Sequence, residues 1–210
     1  MRDNIVKEYA LENVTLWLIS SEEVSAEELK EMHRLCGVKR REKTERIRPE
    51  GKRRESVCAG YLLYLLMRRF SIEEEPVLLG EGKPVFQNVP EVHFSISHSD
   101  GFVVLGFGNR ELGVDIERVK RANLKVAKRF YTKEEYAYLL ETKEEEQGDS
   151  FFRIWTGKEA VVKAAGCGLS VSPKGFCVLG EEAELEGVRY ALWRKRLKIG
   201  GRAVWICVAQ

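Results

Sequence analysis

Gly113-Val114-Asp115-Ile116-Glu117 alternates apolar and acidic side chains along one short stretch. In an extended strand successive side chains point to opposite faces, so Val114 and Ile116 share one face and Asp115 and Glu117 the other. Two carboxylates together on a half-buried face repel each other and lose hydration, a cost that a bound cation or facing basic groups must offset. A third acid comes from Trp155-Thr156-Gly157-Lys158-Glu159-Ala160-Val161-Val162-Lys163, which reads as a helix with Glu159 and Lys163 at i and i+4 on one face. Three acids and a lysine are the ingredients of a magnesium and phosphate site. The same residues also fit a solvated strand edge beside an ordinary helical ion pair.

The 210 residues leave room for one large core or for two lobes of roughly 100 residues. With 35 Lys and Arg against 33 Asp and Glu, the formal charge is +2, too balanced for a surface given over to nucleic acid or membrane. The cysteines (Cys36, Cys58, Cys167, Cys177, Cys207) are odd in number and scattered, which argues against a disulfide framework or a cysteine zinc site and fits a reducing compartment. Residues 1 to 8 are charged and lack a signal-type apolar stretch, and the longest apolar run, residues 61 to 67, is far too short to cross a bilayer. A soluble cytoplasmic protein without a membrane partner is expected.

Outward from the acidic stretch, residues 14 to 19 read as a strand, and Ser25 followed by Glu28 opens a helix with a capping box. Residues 39 to 54 hold nine basic side chains among three acids and lead into a helix over 56 to 70. Residues 80 to 84 form a turn-rich loop. Strands at 93 to 99 and 102 to 107, joined by Asp100-Gly101, and a third at 111 to 117 make one small antiparallel sheet. A helix follows at 123 to 140, then a charged hinge at 144 to 149 and an amphipathic helix at 150 to 165 ended by Gly166. Strand character returns at 176 to 179, 184 to 194 and 203 to 208. The order points to an α+β chain with two similar lobes.

Zinc takes His and Cys ligands, whereas magnesium is held by one or two carboxylates together with substrate phosphates and water, so the acidic set points to a phosphate-bearing substrate. The basic run offers counter-charges for further phosphates, and equally suits a solvated helix face or a loose nucleic-acid patch. In Phe94-Ser95-Ile96-Ser97-His98-Ser99 the hydroxyls share one face, with Phe94, Ile96 and His98 on the other. No phosphate-binding P-loop, dinucleotide glycine run or nucleophile elbow occurs.

Taken in order, Gly82-Lys83-Pro84, the Phe94 to Ser99 stretch, Gly113 to Glu117, and residues 152 to 168 with Trp155-Thr156-Gly157-Lys158-Glu159-Ala160 and Lys163-Ala164-Ala165-Gly166 closely resemble the Sfp-type 4′-phosphopantetheinyl transferases. The clear similarity runs from about residue 39 to 169. Gly157 departs from it, standing where the family usually carries a larger, often basic residue.

The resemblance implies two copies of a small α+β lobe related by a pseudo-twofold, 1–110 and 111–210, with coenzyme A between them and the active site at their interface. It implies Mg²⁺-dependent transfer of the phosphopantetheine arm to a serine of an apo acyl, peptidyl or aryl carrier protein, with release of adenosine 3′,5′-bisphosphate, in secondary-metabolite biosynthesis. Asp115, Glu117 and Glu159 would hold the metal, Glu159 would act as general base and Lys163 would stabilise the pyrophosphate. Lys83 and His98 would contact phosphates of coenzyme A, Lys43 with Arg53 or Arg54 would hold its 3′-phosphate, and Ser56, Pro84 and Ser97 would line the nucleotide pocket. Residues 119 to 138 would meet the carrier through Lys120, Arg121, Lys125, Lys128 and Arg129, with Leu124, Phe130 and Tyr131 as apolar anchors. A monomer without nucleic-acid or membrane partners is expected. The alternatives are a non-catalytic phosphate or nucleic-acid-binding module and a magnesium-dependent phosphohydrolase, for which no residue that would position water is evident.

Overall fold

The computed structural model describes residues 5–79 and 83–210. β1 (Lys7–Ala10) and β2 (Val14–Ser20) lead through α1 (Ala26–Leu35), α2 (Val38–Glu45) and α3 (Glu50–Arg69) to the short strands β3 (Val77–Leu79) and β4 (Lys83–Val85), then to β5 (His93–Ser99) and β6 (Phe102–Gly108). β7 (Gly113–Arg118), α4 (Leu124–Phe130), α5 (Lys133–Glu141), α6 (Glu144–Ala165), β8 (Glu182–Leu185), β9 (Val188–Ile199) and β10 (Arg202–Ala209) follow. Two antiparallel sheets result, in the orders β1-β2-β6-β5 and β7-β10-β9-β8, with β3 and β4 pairing apart from them. The architecture is the expected α+β.

Three apolar clusters hold these layers. Trp17, Ile19, Val103 and Leu105 bury one face of the first sheet against Met32 of α1 and Val57, Leu62 and Leu66 of α3. Cys207, Ala209 and Leu192 of the second sheet pack on Ile154, Ala160, Val161 and Ala164 of α6. Between the sheets, Leu16, Leu18, Phe102 and Val104 meet Val114, Ile116, Val204 and Ile206. The helices therefore lie outside and the sheets face each other.

Local chemistry explains several element ends. Ser25 and Glu28 close the capping box of α1, satisfying two otherwise orphaned N–H groups. Asp100 and Gly101 form the two-residue turn between β5 and β6 with φ of 46° and 88°, the doubly positive pairing that matches strand twist and suits Asp-Gly.

Other expectations are corrected. β7 is not the third strand of the β5-β6 sheet; it pairs with β10, with Ile116 opposite Ile206. Alternation identified the strand and its buried face, but that face is covered by sheet packing rather than by a hydrogen-bonded neighbour. The expected hinge at 144 to 149 is the start of α6, where Glu144, Glu145 and Glu146 favour the positive end of the helix dipole. The expected 123 to 140 helix breaks at Tyr131 because Thr132 and Glu135 start α5 with a capping box of its own. Residues 176 to 179 are not a strand, and the expected 184 to 194 strand is interrupted by a turn at Glu186-Gly187, both at positive φ. Lys83 and Pro84 belong to β4 rather than to a turn, while residues 80–82 of that loop lie outside the described residues.

One feature of α6 escapes sequence reading. Lys158 is 1% exposed, and its three ammonium hydrogens are met by Glu135 Oε2 at 2.7 Å, Pro173 O at 2.6 Å and Phe176 O at 2.7 Å. Glu135 also accepts the Thr132 and Val178 N–H groups. Breaking a buried pair strands the remaining charge, so Lys158→Met is expected to destabilise the fold by roughly 3–5 kcal/mol in denaturant unfolding. A loss under 1 kcal/mol would show that the pair contributes little.

Candidate active site

β5 and β7 are edge strands of their two sheets and lie side by side. They share no strand ladder; the serine side chains of β5 connect them. Ser95 Oγ accepts the Val114 N–H at 3.0 Å, Ser97 Oγ donates to Asp115 Oδ1 at 2.7 Å, and Ser99 Oγ donates to Glu117 Oε2. The hydroxyl face of β5 thus addresses the backbone and both carboxylates of β7.

α6 closes the site because Gly113 has no side chain. A Cβ there would stand 2.0 Å from the Ala160 carbonyl oxygen and 2.3 Å from the Ala164 nitrogen. This close approach brings Lys163 Nζ to 2.7 Å from Asp115 Oδ1, 2.9 Å from Ser97 Oγ and 3.2 Å from Val114 O. Glu159, one turn earlier on α6, is half-buried beside the same pair. The structure therefore brings together Ser97, Asp115, Glu117, Glu159 and Lys163 from distant parts of the chain.

Charge is concentrated here. Burial pushes Glu117 up to about 7, with Asp115 and Asp100 adding to the rise, while the Ser99 hydrogen bond and Lys163 oppose it. Burial and Asp115 raise Glu159 as well, again against Lys163. Among the described residues no three or more His, Cys, Asp and Glu side chains converge as a ready-made metal cage, and Lys163 takes one oxygen of Asp115. Asp115 Oδ2, however, is buried with no hydrogen-bond partner among the described residues. An orphaned carboxylate oxygen and two neighbouring acids destabilised by burial fit an additional oxygen-bound divalent cation.

Beside this cluster opens a cavity of about 300 Å³, lined by Lys83, Pro84, His98, Lys163, Arg40 and Ser95 among others. Lys83 also pairs with Glu111. His98 is half-exposed and lies 2.9 Å through Nδ1 from Glu55, on the face of β5 opposite the serines.

The rest of the expected nucleotide set lies elsewhere. Lys43 is exposed on α2 and does not line the cavity. Arg53 and Val57, one helical turn apart, share a face of α3 that lines a separate cavity with Lys30 and His33. Arg54 donates to the carbonyls of Ser21, at 2.7 Å, and Val24, so it ties α3 to the segment before α1. Ser56 is buried with its Oγ unpartnered among the described residues and is no part of the cavity lining, and Ser95 rather than Ser97 reaches the cavity. The basic run does not converge on this cavity as a unit because it folds into two helices, α2 and α3, whose side chains diverge.

Glu55 is a residue that sequence reading missed, and Arg40 is the member of the basic run that lines the cavity. Gly60 of α3 lets Arg40 cross toward the cavity, since a Cβ on it would come within 2.6 Å of both Arg40 Cγ and Cys36 Sγ. Cys36 and Arg40 four apart, opposite a helical glycine, are the available signal. Tyr131, expected as an apolar anchor, is instead 1% exposed and donates to the Phe151 carbonyl at 2.6 Å. Leu124 is exposed, as that surface role requires. Gly157 is buried against Val178, whose Cγ2 would lie 3.1 Å from an added Cβ, so α6 is closely packed at this departure.

Residues 111–196, which carry Asp115, Glu117, Glu159 and Lys163, match the family model of the 4′-phosphopantetheinyl transferase superfamily. The match takes in β7, α6 and most of the second sheet. The chain is 41% identical over 110 residues to the 4′-phosphopantetheinyl transferase Sfp of Bacillus subtilis (strain 168), covering 52% of this chain and 46% of that protein. It is 37% identical over 121 residues to the 4′-phosphopantetheinyl transferase AcpT of Salmonella typhimurium, covering 56% and 62%. The chain thus spans about half the length of the curated relatives it matches. A crystal structure of Thermotoga maritima holo-[acyl-carrier-protein] synthase aligns over 48% of this chain and 62% of that one, with 22% identity and a TM-score of 0.34. Within the matched segment the four charged residues stand on β7 and α6, joined through the missing side chain of Gly113.

Proposed function

We propose that the protein transfers the 4′-phosphopantetheine arm of coenzyme A to a serine of an apo acyl or peptidyl carrier protein, at a site between the halves 1–110 and 111–210. The observation that carries this reading is the Asp115, Glu117, Glu159 and Lys163 cluster, placed within the matched domain and opening onto a cavity lined by further cations. A magnesium ion held by Asp115, Glu117 and Glu159 would supply charge neutralisation on the pyrophosphate. Lys163 adds a fixed positive charge from the protein itself. Arg40, Lys83 and His98 bind phosphates along the cavity, and Pro84 lies against the nucleotide.

The carrier serine oxygen forms the new bond to the β-phosphorus, the bond to the bridging oxygen breaks, and adenosine 3′,5′-bisphosphate leaves with the electron pair. Glu159, on the same face of α6 as Lys163, takes the serine proton as general base. Lys120, Arg121 and the exposed Leu124 face the acidic carrier. All five cysteines are free and, among the described residues, no helix is long and apolar enough to cross a membrane, which supports a cytoplasmic setting for the reaction.

Chromatography of the small products tests the reading. Adenosine 3′,5′-bisphosphate should appear only when coenzyme A, Mg²⁺ and apo carrier are all present. Its release without carrier would favour the phosphohydrolase alternative. The cavity lining makes a second prediction: Arg40→Ala should weaken coenzyme A binding by roughly tenfold or more, the worth of one charge-assisted contact, while Arg53→Ala changes it by less than about twofold. The reverse ranking in titration calorimetry would return the phosphate to the other face of α3.

A further inference from the structure

Glu55 borders the candidate site, is 2% exposed, and takes no part in the reaction described above. Its two oxygens serve different partners. Oε1 accepts the Gly101 N–H at 2.8 Å and so fixes the turn between β5 and β6. Oε2 lies 2.9 Å from His98 Nδ1 and 2.9 Å from Lys52 Nζ. Burial alone would raise this carboxyl, but the hydrogen bonds from His98, Gly101 and Lys52 outweigh it and hold the pKa at about 2. Glu55 is therefore ionised near neutrality and can only accept, which places the proton on His98 Nδ1.

A half-exposed histidine on an edge strand has a broad, nearly twofold χ2 preference, so an untethered ring would offer either nitrogen to a ligand. We propose that Glu55 is the positioning residue of His98: it clamps the ring through Nδ1–H and leaves Nε2 as the nitrogen that meets a phosphate of coenzyme A in the cavity. The clamp spans α3 and β5, and through Gly101 the same carboxylate also sets the end of the strand that carries His98. The inference rests on the reading of His98 as a phosphate contact.

The experiment pairs a spectroscopic with a binding readout on the full chain. Long-range ¹H–¹⁵N spectra of the three histidines, recorded where the rings are neutral, should show His98 as the Nδ1–H tautomer. Glu55→Gln, whose amide both donates and accepts, should abolish that preference while its carbonyl can still take the Gly101 N–H. Coenzyme A affinity by calorimetry should fall about tenfold in Glu55→Gln, and by less than about twofold when the same change is made in His98→Ala. An Nε2–H tautomer in the wild type, or an equal loss with and without His98, would overturn the clamp. Unchanged affinity in His98→Ala would remove His98 from the phosphate site, and the tautomer spectrum would still decide whether Glu55 holds the ring.

Discussion

Asp115→Ala is expected to lower carrier modification by about a hundred- to a thousandfold at saturating coenzyme A, Mg²⁺ and carrier, the size of effect seen when one preorganised charge-stabilising group is removed from an active site. Asp115 has two roles that no neighbour duplicates. Its Oδ1 holds Lys163 and Ser97 together at 2.7 Å each, and its buried Oδ2 is the oxygen left open for a cation. The fold should survive the change. Loss of Asp115 leaves Lys163 with Ser97 Oγ and the Val114 carbonyl, and it also relieves a like charge that raises both Glu117 and Glu159. These opposing effects should hold the change in melting temperature to a few degrees. A rate near wild type would remove the carboxylate cluster from the chemistry, whereas a collapse in stability would make its role structural.

Gly113→Ala is expected to damage both stability and transfer. The added Cβ would meet only backbone: the Ala160 oxygen at 2.0 Å, the Ala164 nitrogen at 2.3 Å and the Lys163 carbonyl carbon at 2.9 Å. No rotamer change relieves such contacts, so α6 must move away from β7. Overpacking of this kind costs about 3 kcal/mol or more, a fall of roughly 6–12 °C in melting temperature for a chain of this size. The displaced helix carries Glu159 and Lys163, and a shift near 1 Å at a catalytic constellation costs on the order of a hundredfold in rate. Measuring melting and turnover on the same preparation checks both. A variant with normal stability and turnover would show that the close contact is unnecessary.

How much of this was readable from residues alone differs by feature. The facing of Asp115 with Glu117 and of Glu159 with Lys163 follows from periods of 2 and 3.6, and both pairs stand as that periodicity places them. Periodicity does not name the strand alongside, so β7 was assigned to the wrong sheet although its buried face was right. The serine face of β5 was also legible, but its purpose depends on the distant β7 chain, eighteen residues on for Ser97 and Ser99. The basic run could not be resolved residue by residue because charge density says nothing of direction: Arg54 turns to carbonyls, Arg53 to another cavity, and Arg40 alone of the three lines the cavity beside Lys163. Glu55 and the Lys158 pair with Glu135 were invisible for a related reason. A charged residue in a helix reads as exposed until its partners, here on β5, on the turn after it and on α5, are known.

Intact-mass spectrometry of the carrier protein tests the central claim most directly. After incubation of this chain with coenzyme A, Mg²⁺ and an apo acyl or peptidyl carrier, the carrier should gain the mass of one phosphopantetheine group, and a carrier whose acceptor serine is replaced by alanine should gain nothing. An unmodified wild-type carrier, across acyl and peptidyl types and with coenzyme A shown to bind, would contradict the transfer reaction.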